Sequence, residues 1–153
     1  MIQGRKRLQK IVFFLQYAGC PLDCNYTLHH FGPYSKDVAD TCDEMVAAGL
    51  ITEKSEENPT TYSYELTEST LNYLAQIPVH ELEKYKELAK TLIVESMPRL
   101  ELGSTILFFY DHCRDWEEAL RMACEYKNKS AEAATSLSAL ELARSVYEKA
   151  GTF

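Results

Sequence analysis

The sequence predicts a mainly α-helical fold that contains one small β-hairpin. Apolar residues recur at three- and four-residue steps through most of the 153 residues. Two β-prone stretches flank a turn-forming quartet in the first half, and Gly or Pro stands at the ends of most periodic segments. A chain of this length with 46% hydrophobic residues can bury a core without disulfide or metal cross-links.

The first predicted helix runs from Arg5 to Ala18. Its apolar positions fall on one face, at Leu8, Ile11, Val12 and Leu15. Gly19 ends it, and Pro21 prevents continuation. The residues from Asp23 to Phe31 are predicted to form an extended or irregular connection.

A second helix is predicted after the chain break at Gly32-Pro33. Ser35 is placed to cap it, and Gly49 ends it. Its apolar stripe consists of Val38, Ala39, Cys42, Met45 and Val46. We expect Cys42, like Cys124 in the second half, to be a small core residue.

The hairpin follows directly. Its arms are Leu50 to Ser55 and Thr60 to Leu66, joined by the turn from Glu56 to Pro59. Thr67 then caps a short helix that carries Leu71, Leu74 and Ala75 and ends at Pro78. A helix, an immediate hairpin and a further helix follow one another in the order of a winged helix, in which the hairpin is the wing.

The second half is predicted to be a helical bundle. Its helices are expected at Val79 to Ser96, Leu100 to Cys113, Trp116 to Tyr126 with Asp115 and Glu118 as a capping box, and Ala131 to Ala150 after Ser130 and before Gly151. The second of these is apolar nearly all round, so we expect it at the centre. The predicted domains are a winged-helix-like unit, 1–77, and a helical bundle packed against it, 78–153.

Charge disfavours DNA recognition through the second helix. The chain has 16 Lys+Arg against 23 Asp+Glu, a net charge of -7. The helix carries Lys36 against four acidic side chains, and the wing tip is Glu56-Glu57, so both would repel phosphates. The alternative that remains open is a regulator that binds DNA phosphates through Arg5, Lys6, Arg7, Lys10 and Lys36.

Protein binding is the favoured function. The sequence holds ten Tyr, a residue that interfaces enrich, and several aromatic residues gather around the Gly-Pro turn and the wing. The predicted partner-binding residues are Tyr34, Ser35, Lys36, Asp37, Asp40, Tyr62 and Tyr64. The partner is another protein or a second copy of this chain, since helices with broad apolar faces pair in C2 dimers.

Metal binding and catalysis find little support in the sequence. Cys20 and Cys24 precede His29 and His30, but their spacing matches zinc fingers poorly and no second Cys pair follows. Asp111, His112 and Cys113 are adjacent in sequence, and neighbours on a helix point about 100° apart, which prevents a relay among them. We therefore predict no catalytic residues, no metal and no cofactor.

No signal peptide or membrane segment is recognisable, because polar residues interrupt the apolar part of the first helix. The five Cys are an odd number with irregular spacing, which fits reduced thiols in the cytoplasm. We expect a cytoplasmic protein that binds no membrane.

Several motifs resemble a known family. The stretch from Arg7 to Gln16, the turn Gly32-Pro33-Tyr34-Ser35, the segment Ala48 to Ile51 and the stretch Leu100 to Ile106 are similar to the bacterial and archaeal YwgA-like proteins. More distantly, the first helix and the turn resemble the SocA-like antitoxin (Panacea) domain, although Phe31 precedes the Gly-Pro where that domain has Tyr. The second resemblance implies a protein that binds and neutralises or presents another protein. Neither implies catalytic residues.

The sequence thus predicts a non-catalytic winged-helix protein with a regulatory or adaptor role. We expect the Gly-Pro-Tyr turn, the acidic second helix and the wing to bind a protein partner.

Overall fold

The computed structural model describes residues 1–57, 60–78 and 80–151. The chain is mainly helical with two small antiparallel sheets. The helices are α1 Arg5–Tyr17, α2 Lys36–Ala47, α3 Glu68–Leu74, α4 His80–Glu83, α5 Lys86–Val94, α6 Met97–Cys113, α7 Trp116–Tyr126 and α8 Ala134–Ala150. The strands are β1 Ile2–Gln3, β2 Thr27–His29, β3 Gly32–Tyr34, β4 Ile51–Glu57 and β5 Thr60–Leu66.

Three helices begin at the caps that the sequence predicts. The Ser35 hydroxyl accepts the amide of Val38 at 3.3 Å, and the Asp115 carboxylate accepts the amide of Glu118 at 2.9 Å. The Thr67 hydroxyl receives the amide of Thr70 at 3.3 Å. Each contact satisfies a backbone donor that has no partner within its own helix.

The predicted hairpin is formed by β4 and β5, and β1 adds a third strand to it. The strand order is β1-β5-β4, with Ile51 opposite Leu66 and Ile2 opposite Tyr64. The predicted turn residues Asn58 and Pro59 lie outside the described residues, and Glu56-Glu57 is described in its backbone only.

The Gly-Pro turn is a strand instead of the break that the sequence predicts. β3 pairs with β2 in a separate two-stranded sheet, with Pro33 opposite Leu28. Pro33 is tolerated because a two-stranded sheet consists of edge strands, in which alternate backbone amides need no ladder partner. A hairpin therefore fills the connection between α1 and α2.

The helices of the second half differ from the prediction at three ends. The stretch expected to be one helix from Val79 to Ser96 is divided into α4 and α5. At the division, the side chain of Tyr85 turns inward and its hydroxyl donates to the Gly19 carbonyl at 2.6 Å. The predicted start of this helix, Val79, lies outside the described residues. α6 begins at Met97 and includes Pro98 in its first turn, where a missing amide proton costs nothing. α8 begins at Ala134. In its first turn, the Ser136 hydroxyl donates to the carbonyl of Ser130, which precedes the helix.

One apolar core joins the two halves of the chain. α6 lies at its centre, as predicted, with Ile106 and Leu107 fully buried. Phe13 and Phe14 of α1 belong to the same cluster as α5, α6, α7 and α8. Cys124 is buried there, whereas Cys42, also expected in the core, is only half-buried.

The third helix leaves its apolar residues in solvent. Leu71 is 52% exposed and Leu74 is 40% exposed, so the stripe that predicted α3 faces outward. Among the described residues, no helix combines the length and the apolar character that a membrane crossing requires.

Candidate partner-binding site

A cavity of about 550 Å³ opens between α1, the β2–β3 hairpin and α2, and we call it the hairpin cavity. Its apolar wall comes from α1 and α2, its rim carries aromatic rings from the hairpin, and charged side chains of both signs surround it. The side chains that line it include Arg5, Lys6, Leu8, Lys10, His29, Phe31, Tyr34, Lys36, Val38, Ala39, Asp40, Cys42, Asp43 and Tyr64.

Gln9 holds the hairpin against α1. Its side-chain amide donates to the Ser35 carbonyl and accepts the Ser35 amide, both at 2.9 Å. Gln9 is 6% exposed and Ser35 is fully buried. A buried pair of this kind copies the backbone pairing of a sheet. Its loss would leave the buried Ser35 amide without its partner, whereas the Ser35 carbonyl also accepts the Ala39 amide.

Lys10 makes the second contact to the hairpin. Its ammonium donates to the Pro33 carbonyl at 2.5 Å and is 2% exposed as a residue. Burial lowers the pKa of this amine to about 8, and the positive charges of Lys127 and Lys6 act in the same direction, whereas Glu101 opposes them. Glu101 forms an ion pair with Lys127, and its charge acts on Lys10 without a direct ion pair.

Gly32 allows the hairpin to lie directly on α6. Its φ is +87°, and a Cβ built there would stand 2.7 Å from the Thr105 hydroxyl and 3.3 Å from the Glu101 carbonyl oxygen. A side chain would therefore be strained by the backbone and blocked by the helix. The glycine fixes the depth at which β3 packs.

Aromatic rings and cations form the rim of the cavity. The Lys6 ammonium lies 3.1 Å from the centre of the Phe31 ring, and Phe31 is 45% exposed. The His29 and Tyr34 rings stack with their centres 4.8 Å apart. These side chains present flat, partly apolar surfaces next to positive charge.

The wall formed by α2 is apolar within and acidic outside. Val38 is 5% exposed, and Ala39 and Cys42 are half-buried beside it. Burial, followed by the charge of Asp43, raises the pKa of the Cys42 thiol. The thiol is thus protonated at neutral pH and is a poor nucleophile. Asp40 pairs with Lys36 at 2.5 Å.

Arg5 closes the end of the cavity next to the β4–β5 hairpin. Its guanidinium pairs with both oxygens of Glu53, donates to the Tyr64 hydroxyl at 3.1 Å and lies 3.9 Å from the centre of the Tyr62 ring. The hydrogen bond from Tyr64 and the contacts with Arg5 lower the pKa of Glu53 against the opposing effect of burial, and burial raises the pKa of Tyr64 to about 12. This network fixes the first turn of α1 to β4 and β5.

Four of the seven predicted partner-binding residues line the cavity: Tyr34, Lys36, Asp40 and Tyr64. The other three do not. Ser35 is buried as a helix cap, Asp37 accepts hydrogen bonds from Asn25, whose backbone amide is the main cause of the lowered pKa of that carboxyl, and Tyr62 lies under Arg5.

Most of the predicted phosphate-binding residues are engaged within the protein. Arg5 pairs with Glu53, and Arg7 donates to the Ile93 and Glu95 carbonyls that end α5. Lys10 is buried under the hairpin. Of the five, Lys6 and Lys36 keep exposed amines, and that of Lys36 pairs with Asp40.

The predicted partner-binding residues did not include the hairpin residues His29 and Phe31 or the wall residues Ala39 and Cys42. The alternation in Thr27-Leu28-His29 was a strand signal, but three residues are too short for periodicity alone to distinguish from a loop. The α2 stripe was recognised, yet it was assigned to the core, because periodicity does not show whether a face meets protein or an open cavity.

The candidate metal and catalytic residues are dispersed. Within the described part of the chain, no three His, Cys, Asp or Glu side chains are placed to hold a metal ion. His112 is exposed and its Nδ1 lies 2.8 Å from the Phe108 carbonyl, while the Cys113 thiol donates to the Asp115 carbonyl.

The chain was compared with known proteins. No family model matches it. It is 31% identical over 112 residues to the Bacillus subtilis (strain 168) protein named "Uncharacterized protein YwgA", and the match covers 71% of this chain and 66% of that protein. The matched region thus spans about two thirds of the relative. The similarity to the SocA-like domain stays a prediction. On this relationship, which agrees with the motifs in the first helix and the Gly-Pro segment, the chain belongs to the YwgA-like family.

Proposed function

We propose that this protein is a non-catalytic regulatory or adaptor protein, and that it binds a segment of another protein in the hairpin cavity. The observation that carries the proposal is the construction of this cavity. Buried contacts from Gln9 and Lys10 hold its hairpin wall, whereas its rim consists of exposed rings and charges. A preformed concave surface with a few polar groups is the usual form of a binding site.

The size of the cavity suits a peptide segment. About 550 Å³ accommodates two or three side chains of a bound chain, as it would a small ligand. The rim rings favour protein recognition, because aromatic side chains supply large contact areas at interfaces. In this proposal α2, β4, β5 and α3 form a winged-helix-like unit that serves protein binding.

DNA binding is the weaker proposal. Arg5, Arg7 and Lys10 would have to leave internal partners to contact phosphate. α2 presents Asp40 and Asp43 beside Lys36 at the cavity. Like charge along this helix opposes the release of counterions that drives phosphate binding.

A selection of linear peptides tests the proposed function. A random heptapeptide library is displayed on phage and selected against the immobilised protein. Ala39→Phe fills the cavity from its α2 wall, and Ala47→Phe adds the same side chain at an exposed position of α2 that does not line the cavity. We expect selected peptides to bind the Ala47→Phe variant like the wild type and to lose at least about tenfold in affinity for Ala39→Phe, which is the loss of about 1.4 kcal/mol of contact.

The outcome against the proposal is equally defined. If no peptide is enriched, or if the enriched peptides bind Ala39→Phe as tightly as the wild type, the hairpin cavity is not a peptide site. Circular dichroism of both variants establishes that the substitutions leave the helix content unchanged.

A further inference from the structure

We propose that the hairpin cavity recognises a carboxylate flanked by an apolar side chain, so that the bound segment of the partner is acidic. This inference rests on the proposed function and adds the chemistry of the ligand. It follows from the charges around the cavity, the position of its apolar wall and the engagement of each charged group.

The cavity reverses the charge sign of the whole molecule. Four basic side chains and two acidic ones line it, a formal balance of +2, whereas the chain as a whole has a net charge of -7. Complementary potential steers an oppositely charged partner to a site and opposes a partner of like charge. An acidic segment is therefore drawn to this cavity and repelled by most of the remaining surface.

Two of the four cations are paired with carboxylates. Arg5 pairs with Glu53 and Lys36 pairs with Asp40. In the described ranges, Lys6 and Lys10 form no ion pair within 4 Å. The exposed Lys6 ammonium lies over the Phe31 ring at the rim, and its outer side can donate hydrogen bonds to an anion.

Lys10 contributes its charge from beneath the wall. Its ammonium has three donor hydrogens and gives one to the Pro33 carbonyl. Because this amine is 2% exposed, water screens it weakly, and its field reaches the cavity more strongly than that of a surface lysine. Lys6 thus makes the contact, and Lys10 adds attraction at a distance.

The apolar part of the ligand has a separate seat. Leu8 of α1 and Val38, Ala39 and Cys42 of α2 form the apolar wall of the cavity. Asp43 stands at the α2 edge, and among the described residues it has no ion-pair partner, so it repels the anionic end from that side. The carboxylate is directed towards Lys6, and the apolar side chain towards the α2 wall.

Three probes of one shape test this inference. 3-Phenylpropanoate, 3-phenylpropanamide and 3-phenylpropylamine share a phenyl ring on a three-carbon chain and carry an anionic, a neutral and a cationic end group. Each is titrated into 15N-labelled full-length protein, and amide shifts are followed by NMR. We expect the propanoate to shift the amides of residues that line the cavity and to bind about fivefold more tightly than the amide, the size of a surface charge contact. The amine is expected to bind most weakly.

A matched pair of lysine substitutions locates the effect. Lys6→Gln removes the rim charge, and we expect it to bring the propanoate and the amide within about twofold of each other. Lys90→Gln makes the same charge change on α5, away from the cavity, and is expected to leave the preference intact. Phenyl phosphate and a single-stranded oligonucleotide serve as competing anion chemistries.

Each result decides between the two proposals. Propanoate shifts that are absent, equal to those of the amide or weaker than those of the amine overturn the acidic-ligand inference, and so does binding of phenyl phosphate or the oligonucleotide alone. The proposed function survives these results if selected peptides still depend on Ala39. When propanoate binds but no selected peptide does, the carboxylate preference stands and the adaptor function fails.

Discussion

At the scale of single residues, two neighbouring side chains of α1 hold the β3 segment in place. Gln9 and Lys10 are neighbours on α1, yet both reach the β3 segment, one at Ser35 and the other at Pro33. Because neighbouring helical residues point about 100° apart, the two side chains contact the segment from different directions. The resemblance carried by the first helix and the Gly-Pro segment therefore marks residues that build the hairpin wall of the cavity.

Lys10 gives a prediction for the pH dependence of stability. Its pKa falls from 10.5 to about 8 on folding, chiefly through burial, so between these values the unfolded chain holds a proton that the folded chain has released. The contribution of Lys10 to the free energy of unfolding therefore rises with pH in this range. We expect the wild type to gain about 2 to 3 kcal/mol relative to Lys10→Met between pH 7 and pH 10, measured by urea unfolding.

Comparison with the variant isolates the lysine. Burial raises the pKa values of Cys20, Cys42, Tyr17 and Tyr26, and these groups reduce stability at high pH. They are present in both proteins and cancel in the difference. Parallel curves for wild type and Lys10→Met would show that folding does not lower the pKa of the Lys10 amine.

At the scale of elements, most helices and the β4–β5 hairpin were predictable because their signals are local. Periodicity occurs with a terminal Gly in α1, with a capping Ser and a terminal Gly in α2, and with a capping Asp in α7. The β2–β3 hairpin was not predictable, because its strands are three residues long and are positioned by contacts with α1 and α6 that lie far away in sequence. The rim residues His29 and Phe31 were missed for that reason.

The division between α4 and α5 has a similar cause. The apolar spacing around Tyr85 suits a continuous helix, yet the side chain is 5% exposed and bonds to Gly19. A tertiary contact outweighs the small cost of interrupting a short helix. Sequence periodicity records which residues are apolar and does not record such a bond.

The packing of α6 against α8 gives a prediction at the element scale. A Cβ on Gly103 would lie 3.1 Å from the Ala139 carbonyl oxygen and 3.3 Å from the Phe14 ring. The carbonyl belongs to a helix backbone and yields little, so crowding outweighs the gain of up to about 1 kcal/mol in helix propensity. We expect Gly103→Ala to lower the free energy of unfolding by about 1 to 3 kcal/mol in urea titrations.

A substitution on the exposed face of α8 is the control for Gly103. Glu141→Ala changes a solvent-facing position, and we expect its free energy of unfolding to stay within about 0.5 kcal/mol of the wild type. A Gly103→Ala protein more stable than the wild type would mean that α6 and α8 can separate to admit the methyl group.

At the scale of the whole molecule, the two predicted units share their core. α1 belongs to the first unit by sequence, but its buried side chains Phe13 and Phe14 pack in one cluster with Ile106 and Val146 of the second. Both units are also acidic, with 6 basic against 10 acidic residues in 1–78 and 10 against 13 in the remainder. The proposed binding at the cavity thus depends on α6, against which the β2–β3 hairpin packs at Gly32.

The shared core predicts that α1 and the bundle unfold together. Phe14→Ala removes a fully buried ring and should cost about 3 to 5 kcal/mol. Trp116 fluorescence reports on the unfolding of α7. We expect the free energy of unfolding from this signal to fall by the same amount as the free energy from hydrogen exchange of amides in α1 and α8. Leu71→Ala, at a half-exposed position on α3, is expected to change the same measurements by less than about 0.5 kcal/mol. If α8 kept its protection while α1 lost its own, the boundary near Pro78 would separate two independently stable domains, and the cavity would rest on α1 alone.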